Sequence, residues 1–195
     1  MPPKTAAPQR GLNAANRVRI IGGVFRRRLL EFPDRAGLRP TPDRVRETLF
    51  NWLGQDLPGW RCLDLFAGSG ALGFEAASRG AAQVTLVECD SAALAALEKN
   101  RVALAARTVS VQRGDARHWL AADHTPWDLI FLDPPFDSGL AEVMLPDLRA
   151  HLAPGGQVYV EQGCAVEAPA GFIMRKSGRA GRSHFALLEK EDAVC

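Results

Sequence analysis

Residues 63–73 read LDLFAGSGALG, and this stretch decides the fold class. A short apolar strand runs into a loop with glycines at 68, 70 and 73, the G-x-G-x-x-G spacing. That spacing turns a strand tightly into a helix and lets the backbone approach a ligand. Working outward, VTLVECD (84–90) is a second apolar strand ending in an acidic residue, Glu88, twenty residues beyond Gly68. The alternation then continues. Strands are predicted near 61–66, 83–88, 108–112, 128–132 and 156–161, and helices near 70–79, 91–106, 116–122 and 138–152. Pro154-Gly155-Gly156 is read as closing the last of these helices. GFIMRK (171–176) and SHFALLEK (183–190) add an antiparallel strand pair. Such alternation implies an α/β fold with a mostly parallel sheet covered on both faces. Ligands of these sheets bind beyond the carboxyl ends of the strands.

Upstream, RVRIIGGVFRRRLLEF (17–32) reads as two short strands turning at Gly22-Gly23. In RPTPDRVRETLFNWL (39–53), Thr41 is the expected helix cap and Pro42 suits the first turn. Val45, Leu49, Trp52 and Leu53 give the helix one apolar face. The organisation expected is a disordered tail (1–16), a hairpin and helix (17–55) and a main domain (56–190).

The totals narrow the function classes. A chain of 195 residues with 47% hydrophobic and 24% charged residues can bury a substantial core. Its four cysteines are scattered, with no C-x-x-C pair, which argues against disulfides and zinc knuckles and fits the cytoplasm. No apolar run approaches a membrane span, and the four histidines show no ligand spacing, so no metal is expected. Net charge is +2, but residues 1–48 carry 11 Lys/Arg against 4 Asp/Glu, a net of +7, which leaves −5 on the rest. A basic arm on an acidic body suits a polyanionic partner, or is only a solvated face.

The strand ends carry the chemistry. Asp64 stands just before the glycine loop, where it would repel a pyrophosphate and attract a cation. S-adenosylmethionine carries an ammonium and a sulfonium, and its carboxylate suits the N-terminus of the helix at 70–79. Glu88 can accept from both ribose hydroxyls, and Asp90 can cap the next helix. Asp115 either reads an adenine amino group or caps the helix after it. The fourth strand ends at Asp133-Pro134-Pro135-Phe136. The Asp133 carboxylate and the Pro134 carbonyl, its direction stiffened by the prolines, offer two acceptors to an exocyclic amine. Phe136 offers a face for stacking the base, and Asp133 can take the proton after methylation. The competing reading is a Pro-Pro strand stop with a packed Phe.

On these motifs, with RIIGG.FRRRLL, RPTPDRVRETLFNWL and GGQVYVE, the chain from about Arg17 to Glu189 resembles the RsmD family of class I methyltransferases. The resemblance implies a Rossmann-like, mostly parallel seven-stranded sheet with helices on both faces and a small N-terminal hairpin and helix. It implies methyl transfer from S-adenosylmethionine, leaving S-adenosylhomocysteine, to N2 of guanine 966 in 16S rRNA. The catalytic residues it implies are Asp133, Pro134, Pro135 and Phe136. The cofactor residues are Arg39, Thr41, Asp43, Asp64, Phe66, Gly68, Gly70, Glu88, Asp115 and Ala116, with Arg39–Asp43 closing over the cofactor. RNA contacts fall to Arg17, Arg19, Arg26, Arg27, Arg28 and Arg182. The expected partner is 16S rRNA in a small ribosomal subunit or an assembly intermediate, the enzyme being a cytoplasmic monomer. As Arg26, Arg27 and Arg28 are consecutive, a strand would send at least one of them to solvent or phosphate.

Three rivals compete with this reading. A DNA adenine-N6 methyltransferase shares the D-P-P-F motif but needs a domain to read DNA. A nicotinamide dehydrogenase fits the glycines and leaves Asp64 unexplained. A non-catalytic RNA-binding assembly factor would have no use for an intact D-P-P-F.

Overall fold

The computed structural model describes residues 16–35, 40–136 and 138–191. Arg39 and the N-terminal tail therefore lie outside the described residues. An N-terminal hairpin, β1 (Asn16–Arg19) and β2 (Leu29–Phe32), leads to helix α1 (Asp43–Trp52). The alternating part follows as β3 (Arg61–Asp64), α2 (Ala71–Ser78), β4 (Gln83–Glu88), α3 (Ser91–Leu104), β5 (Val109–Arg113), α4 (Ala116–Ala122) and β6 (Trp127–Leu132). It closes with α5 (Leu140–Met144), a 3-10 turn (Asp147–His151), β7 (Leu152–Gln162), β8 (Phe172–Ala180) and β9 (Ser183–Lys190).

Seven strands form one sheet in the order β5-β4-β3-β6-β7-β9-β8, parallel except for β9, which runs against both its neighbours. Successive strand residues enter opposite cores, as the period of two demands. Cys62, Phe131, Tyr159 and Leu187 join the cluster under the hairpin, α1, α2 and α3. Leu63, Leu132, Val160 and Leu188 join the cluster under α4 and α5. The sheet order reverses at β3, whose neighbours β4 and β6 lead to opposite edges, the place where sheets of this kind bind ligands beyond their carboxyl ends. No helix among the described residues is long and apolar enough to cross a membrane.

Several local expectations are corrected. The helix expected over 138–152 is broken: α5 stops at Met144, and a 3-10 turn with Pro146 at its cap takes over. Pro154-Gly155-Gly156 does not close a helix but lies within β7. The β6–β7 register shifts between Trp127 and Leu129, and Gly155 takes φ 67 there, a bulge rather than a cap.

The N-terminal strands do pair, but Gly22-Gly23 is not a two-residue turn; the connection covers residues 20–28. Its glycines serve packing. A Cβ on Gly22 would strike the Arg79 guanidinium, and one on Gly23 the Ser78 carbonyl. The loop thus lies against the C-terminal end of α2, where Val24 N–H donates to the Ser78 carbonyl at 2.7 Å. Arg26, Arg27 and Arg28 consequently belong to this loop, not to a strand, and all three are exposed.

Candidate active site

Four acidic side chains end or follow adjacent strands at one edge of the sheet: Glu88 on β4, Asp64 on β3, Asp133 after β6 and Glu161 on β7. Asp64 is the last residue of β3 and is buried. Its Oδ2 accepts from the Gly73 N–H at 3.2 Å, whereas its Oδ1 is buried with no partner. Burial raises the carboxyl to about 7; the Gly73 and Phe66 N–H groups act against that rise and the Glu88 charge adds to it. A buried acceptor atom lacking a donor is costly, and a cationic or N–H-bearing ligand would relieve it.

The glycine loop holds this arrangement. Gly70 caps α2 with φ 77, in the left-handed region that glycine enters freely. A Cβ on Gly73 would collide with Leu86 and press within 3.3 Å of Asp64 Oδ2, so the close packing of helix on strand needs this glycine too. The amides at the N-terminus of α2 are partly engaged, since Asp64 takes Gly73 N–H and Ser69 Oγ takes Ala71 N–H at 3.3 Å. The anion seat expected there is correspondingly smaller.

Glu88 has a second task beside the one expected. Its Oε2 accepts from Gly68 N–H, and its Oε1 from Cys89 and Asp90 N–H, each at 2.8 Å. It therefore locks the glycine loop to the end of β4. Of the roughly four acceptor positions of a carboxylate, three are occupied. The free one lies on Oε2, so one ribose hydroxyl fits more readily than two. Asp90 is the N-cap of α3, accepting from Ala92 and Ala93 N–H at 3.0 and 2.9 Å. Asp115 caps α4 through Oδ1, which accepts from Arg117 and His118 N–H, and its side chain stays 60% exposed. Gly114 N–H donates to the Glu88 carbonyl at 3.0 Å, placing that turn and the buried Ala116 beside β4. Phe66, half-buried, packs on the cluster beneath α4.

Asp133 follows β6 and is held from the N-terminal arm. The Thr41 hydroxyl donates to Asp133 Oδ2 at 3.0 Å. This corrects the expected helix cap: Pro42 occupies the cap position of α1 and makes no side-chain cap bond. Burial, then the Glu161 charge, raise the Asp133 carboxyl well above the usual range; the Thr41 bond works against this and the Asp64 charge with it. Pro134 is buried and Pro135 exposed. Phe136 keeps 38% of its surface, with the Arg182 guanidinium 5.4 Å from its ring centroid. Asp43, expected at the cofactor, accepts from Arg46 at 2.7 Å.

Sequence reasoning missed the groups that fasten the arm. Arg46 is fully buried; it donates to the Thr41 and Arg19 carbonyls and to Glu75. Glu75, also fully buried, accepts from Ile21 and Gly22 N–H at 2.8 and 2.7 Å and from Arg79 at 2.8 Å. Both charges sit at positions a helical pattern assigns to apolar side chains. Glu161 was missed as well, although it stands in the quoted GGQVYVE: Tyr159 and Ser183 donate to its two oxygens at 2.7 and 2.5 Å.

The arginines expected at RNA do not all lie together. Arg28 donates to the Ala103 carbonyl at 2.9 Å, near the C-terminal end of α3. With Arg26 and Arg27 it sits by the C-terminal ends of α2 and α3, across the sheet from the acidic edge. Arg35, at the other end of the hairpin, pairs with Asp90 at the start of α3. A helix of 14 residues is roughly 21 Å long, which sets the scale of the separation. Arg17 pairs with Glu31 at 3.0 Å, Arg19 is exposed, and Arg182 lies beside Phe136 of the D-P-P-F motif.

Residues 18–189 match the family described as Conserved hypothetical protein 95. The chain is 43% identical to Ribosomal RNA small subunit methyltransferase D of Escherichia coli K12, over 92% of this chain and 93% of that relative. It is 34% identical to the putative rRNA methyltransferase YlbH of Bacillus subtilis, over 89% and 99%. Among solved structures, the putative methyltransferase yhhF from Escherichia coli superposes with a TM-score of 0.83 at 43% identity, covering 91% of this chain and all of that one.

Proposed function

The chain belongs to the family described as Conserved hypothetical protein 95, the RsmD family, and from that premise we propose that it methylates the exocyclic N2 of a guanine in 16S rRNA, guanine 966 by resemblance, with S-adenosylmethionine as donor. The observation that carries the cofactor is the buried, unpartnered Oδ1 of Asp64 at the switch point of the sheet. Acidic groups on adjoining strand ends suit a ligand with two positive centres, and Glu88 keeps one acceptor position for a ribose hydroxyl. S-adenosylmethionine supplies a methyl group made electrophilic by its sulfonium. Arg39, Thr41, Asp43, Asp64, Phe66, Gly68, Gly70, Glu88, Asp115 and Ala116 remain the proposed cofactor set, with Thr41 acting through Asp133 and Asp43 through Arg46.

Asp133 and the Pro134 carbonyl orient the target amine. The amine's lone pair is conjugated into the ring, and acceptors on both N–H groups favour its pyramidal, nucleophilic form. A positive charge beside Asp133 lowers its raised affinity for a proton, so the carboxylate is ionised when the amine arrives. Once the methyl has moved, the positive charge resides on nitrogen. Asp133 then takes that proton, and its buried setting favours keeping it. Phe136 holds the base by its face, and most of the rate comes from this positioning.

The test is methyl transfer from labelled S-adenosylmethionine to naked 16S rRNA and to small subunits from cells lacking the enzyme, with the modified base mapped. N2-methylguanine at one position supports the reading. Label on adenine, or on duplex DNA in preference to RNA, overturns it.

A further inference from the structure

We infer that Glu161 is a specificity-determining residue, pairing with Asp133 so that two neighbouring carboxyl groups accept from two adjacent N–H donors of the target base. The inference rests on the site being one for a ring amine. Leu132 and Val160 are register partners on parallel β6 and β7, so Asp133 and Glu161 are the next residue on each chain. Two positions earlier on each strand stand Phe131 and Tyr159, whose rings meet edge-on 6.4 Å apart in the cluster under α1. Alternation puts Asp133 and Glu161 on that same face. Thr41, one residue before the Pro42 cap of α1, reaches Asp133 from there.

Glu161 is 8% exposed, and nothing about strand packing calls for a carboxylate. It is held by two hydroxyls, Tyr159 on Oε2 and Ser183 on Oε1. Each oxygen keeps a further acceptor position. The Leu132–Val160 register puts the two carboxyls side by side, and the Glu161 charge correspondingly helps raise the Asp133 carboxyl above its usual range. The other charged or titratable groups acting on Asp133 and Tyr159 here are carboxyls, Asp64 on β3 and the pair itself. With Asp64, Asp133 and Glu161 at adjoining strand ends, this part of the edge offers carboxyl acceptors.

Base chemistry then selects the substrate. In guanine the exocyclic amine is flanked by a ring N–H, so N1 and N2 present donors side by side. In adenine and cytosine the ring nitrogen beside the amine is an acceptor, and it would face a carboxylate lone pair. A site built to hydrogen-bond one pattern rejects the other because its buried groups are left unpaired. Asp133 takes the amine and Glu161 the N1–H.

The decisive experiment compares RNA carrying guanine or 2-aminopurine at the mapped position, with wild-type enzyme and Glu161→Gln, in single turnover at saturating S-adenosylmethionine. 2-Aminopurine keeps the amine but replaces N1–H with a lone pair. Wild type should methylate it about tenfold to hundredfold more slowly than guanine. Glu161→Gln can donate to that lone pair, so its preference for guanine should shrink or invert. Ser183, the half-buried first residue of β9, holds Oε1, so Ser183→Ala loosens that oxygen and should weaken the preference in the same direction by a smaller factor, a readout that survives if Glu161→Gln folds poorly. An unchanged preference in Glu161→Gln and Ser183→Ala, whatever their absolute rates, overturns the role of Glu161 alone. Wild-type enzyme that methylates no guanine overturns the proposed function and this inference with it.

Discussion

Asp64 and Asp133 show how a site can be assembled at a cost to the fold. An unfolded chain ionises an aspartate near 4, whereas the folded protein holds the Asp64 proton up to about 7. Between those values the folded state binds the extra proton, so stability falls as pH rises through that window and levels off above it. Each unit is about 1.4 kcal/mol, which makes the fall a few kcal/mol. Asp64→Asn should flatten it, leaving the variant at least as stable as wild type at pH 8 while losing S-adenosylmethionine affinity. Urea denaturation at pH 5 and pH 8, with a binding titration, checks both halves. Asp133 is a different case, because it is half-buried after the end of β6 and held by the Thr41 hydroxyl. Asp133→Ala should fold and bind cofactor nearly normally yet lose roughly 2–4 kcal/mol of barrier stabilisation, about 30- to 1000-fold in rate. Single-turnover methylation beside a thermal melt is the measurement, and a folded variant at wild-type rate would contradict the role.

At the level of elements, the N-terminal arm is fastened by charge as well as by apolar packing. Arg46, Glu75 and Arg79 form a buried chain between α1, α2 and the loop after β1. Breaking such a network by removing one partner costs about 3–5 kcal/mol, because the others stay buried and unpaired. The arm in turn delivers Thr41 to Asp133, so hairpin, helix and the end of β6 are mechanically one assembly. The three consecutive arginines on its loop have unequal tasks. Arg28 satisfies a carbonyl near the C-terminal end of α3, where a cation also suits the helix dipole. Arg26 and Arg27 are exposed and make no side-chain hydrogen bond or ion pair among the described residues. Substituting Arg26 and Arg27 with alanine should weaken RNA binding and flatten its dependence on salt without moving the melt. Arg28→Ala should lower the melting temperature instead. Binding isotherms over a salt series, with melts, distinguish the two; a salt slope unchanged in Arg26→Ala/Arg27→Ala would make that loop a merely solvated surface.

Seen whole, the molecule places an acidic crevice at one edge of its sheet and the arginine loop across it at the other. An RNA that engages Arg26, Arg27 and the D-P-P-F motif together must reach across about the length of α3. That favours a structured RNA or particle over a short single strand. The crevice also defines the ligand that stabilises the whole chain. At about a hundred times its dissociation constant, S-adenosylmethionine should add roughly 2.7 kcal/mol of stability, and NAD, whose pyrophosphate meets Asp64, should add nothing. Thermal melts with each ligand settle it, and the reverse order would restore the dehydrogenase reading.

The sequence alone determined the order of elements in the alternating part, because buried parallel strands, G-x-G-x-x-G and D-P-P-F are local patterns that do not depend on distant partners. The acidic ends of β3, β4 and β6 were legible for the same reason, since the topology dictates where strand ends lie. The partners of those groups were decided only in the tertiary structure. Thr41 looks like a cap in sequence and becomes the holder of an aspartate 92 residues away. Gly22-Gly23 looks like a turn and becomes clearance for the end of α2. Arg46, Glu75 and Glu161 look like surface charges, yet each is buried because a partner from another element meets it there. Local patterns record backbone preference and burial period. Long-range charge pairing leaves no period in the chain, so it became visible only once the elements had packed.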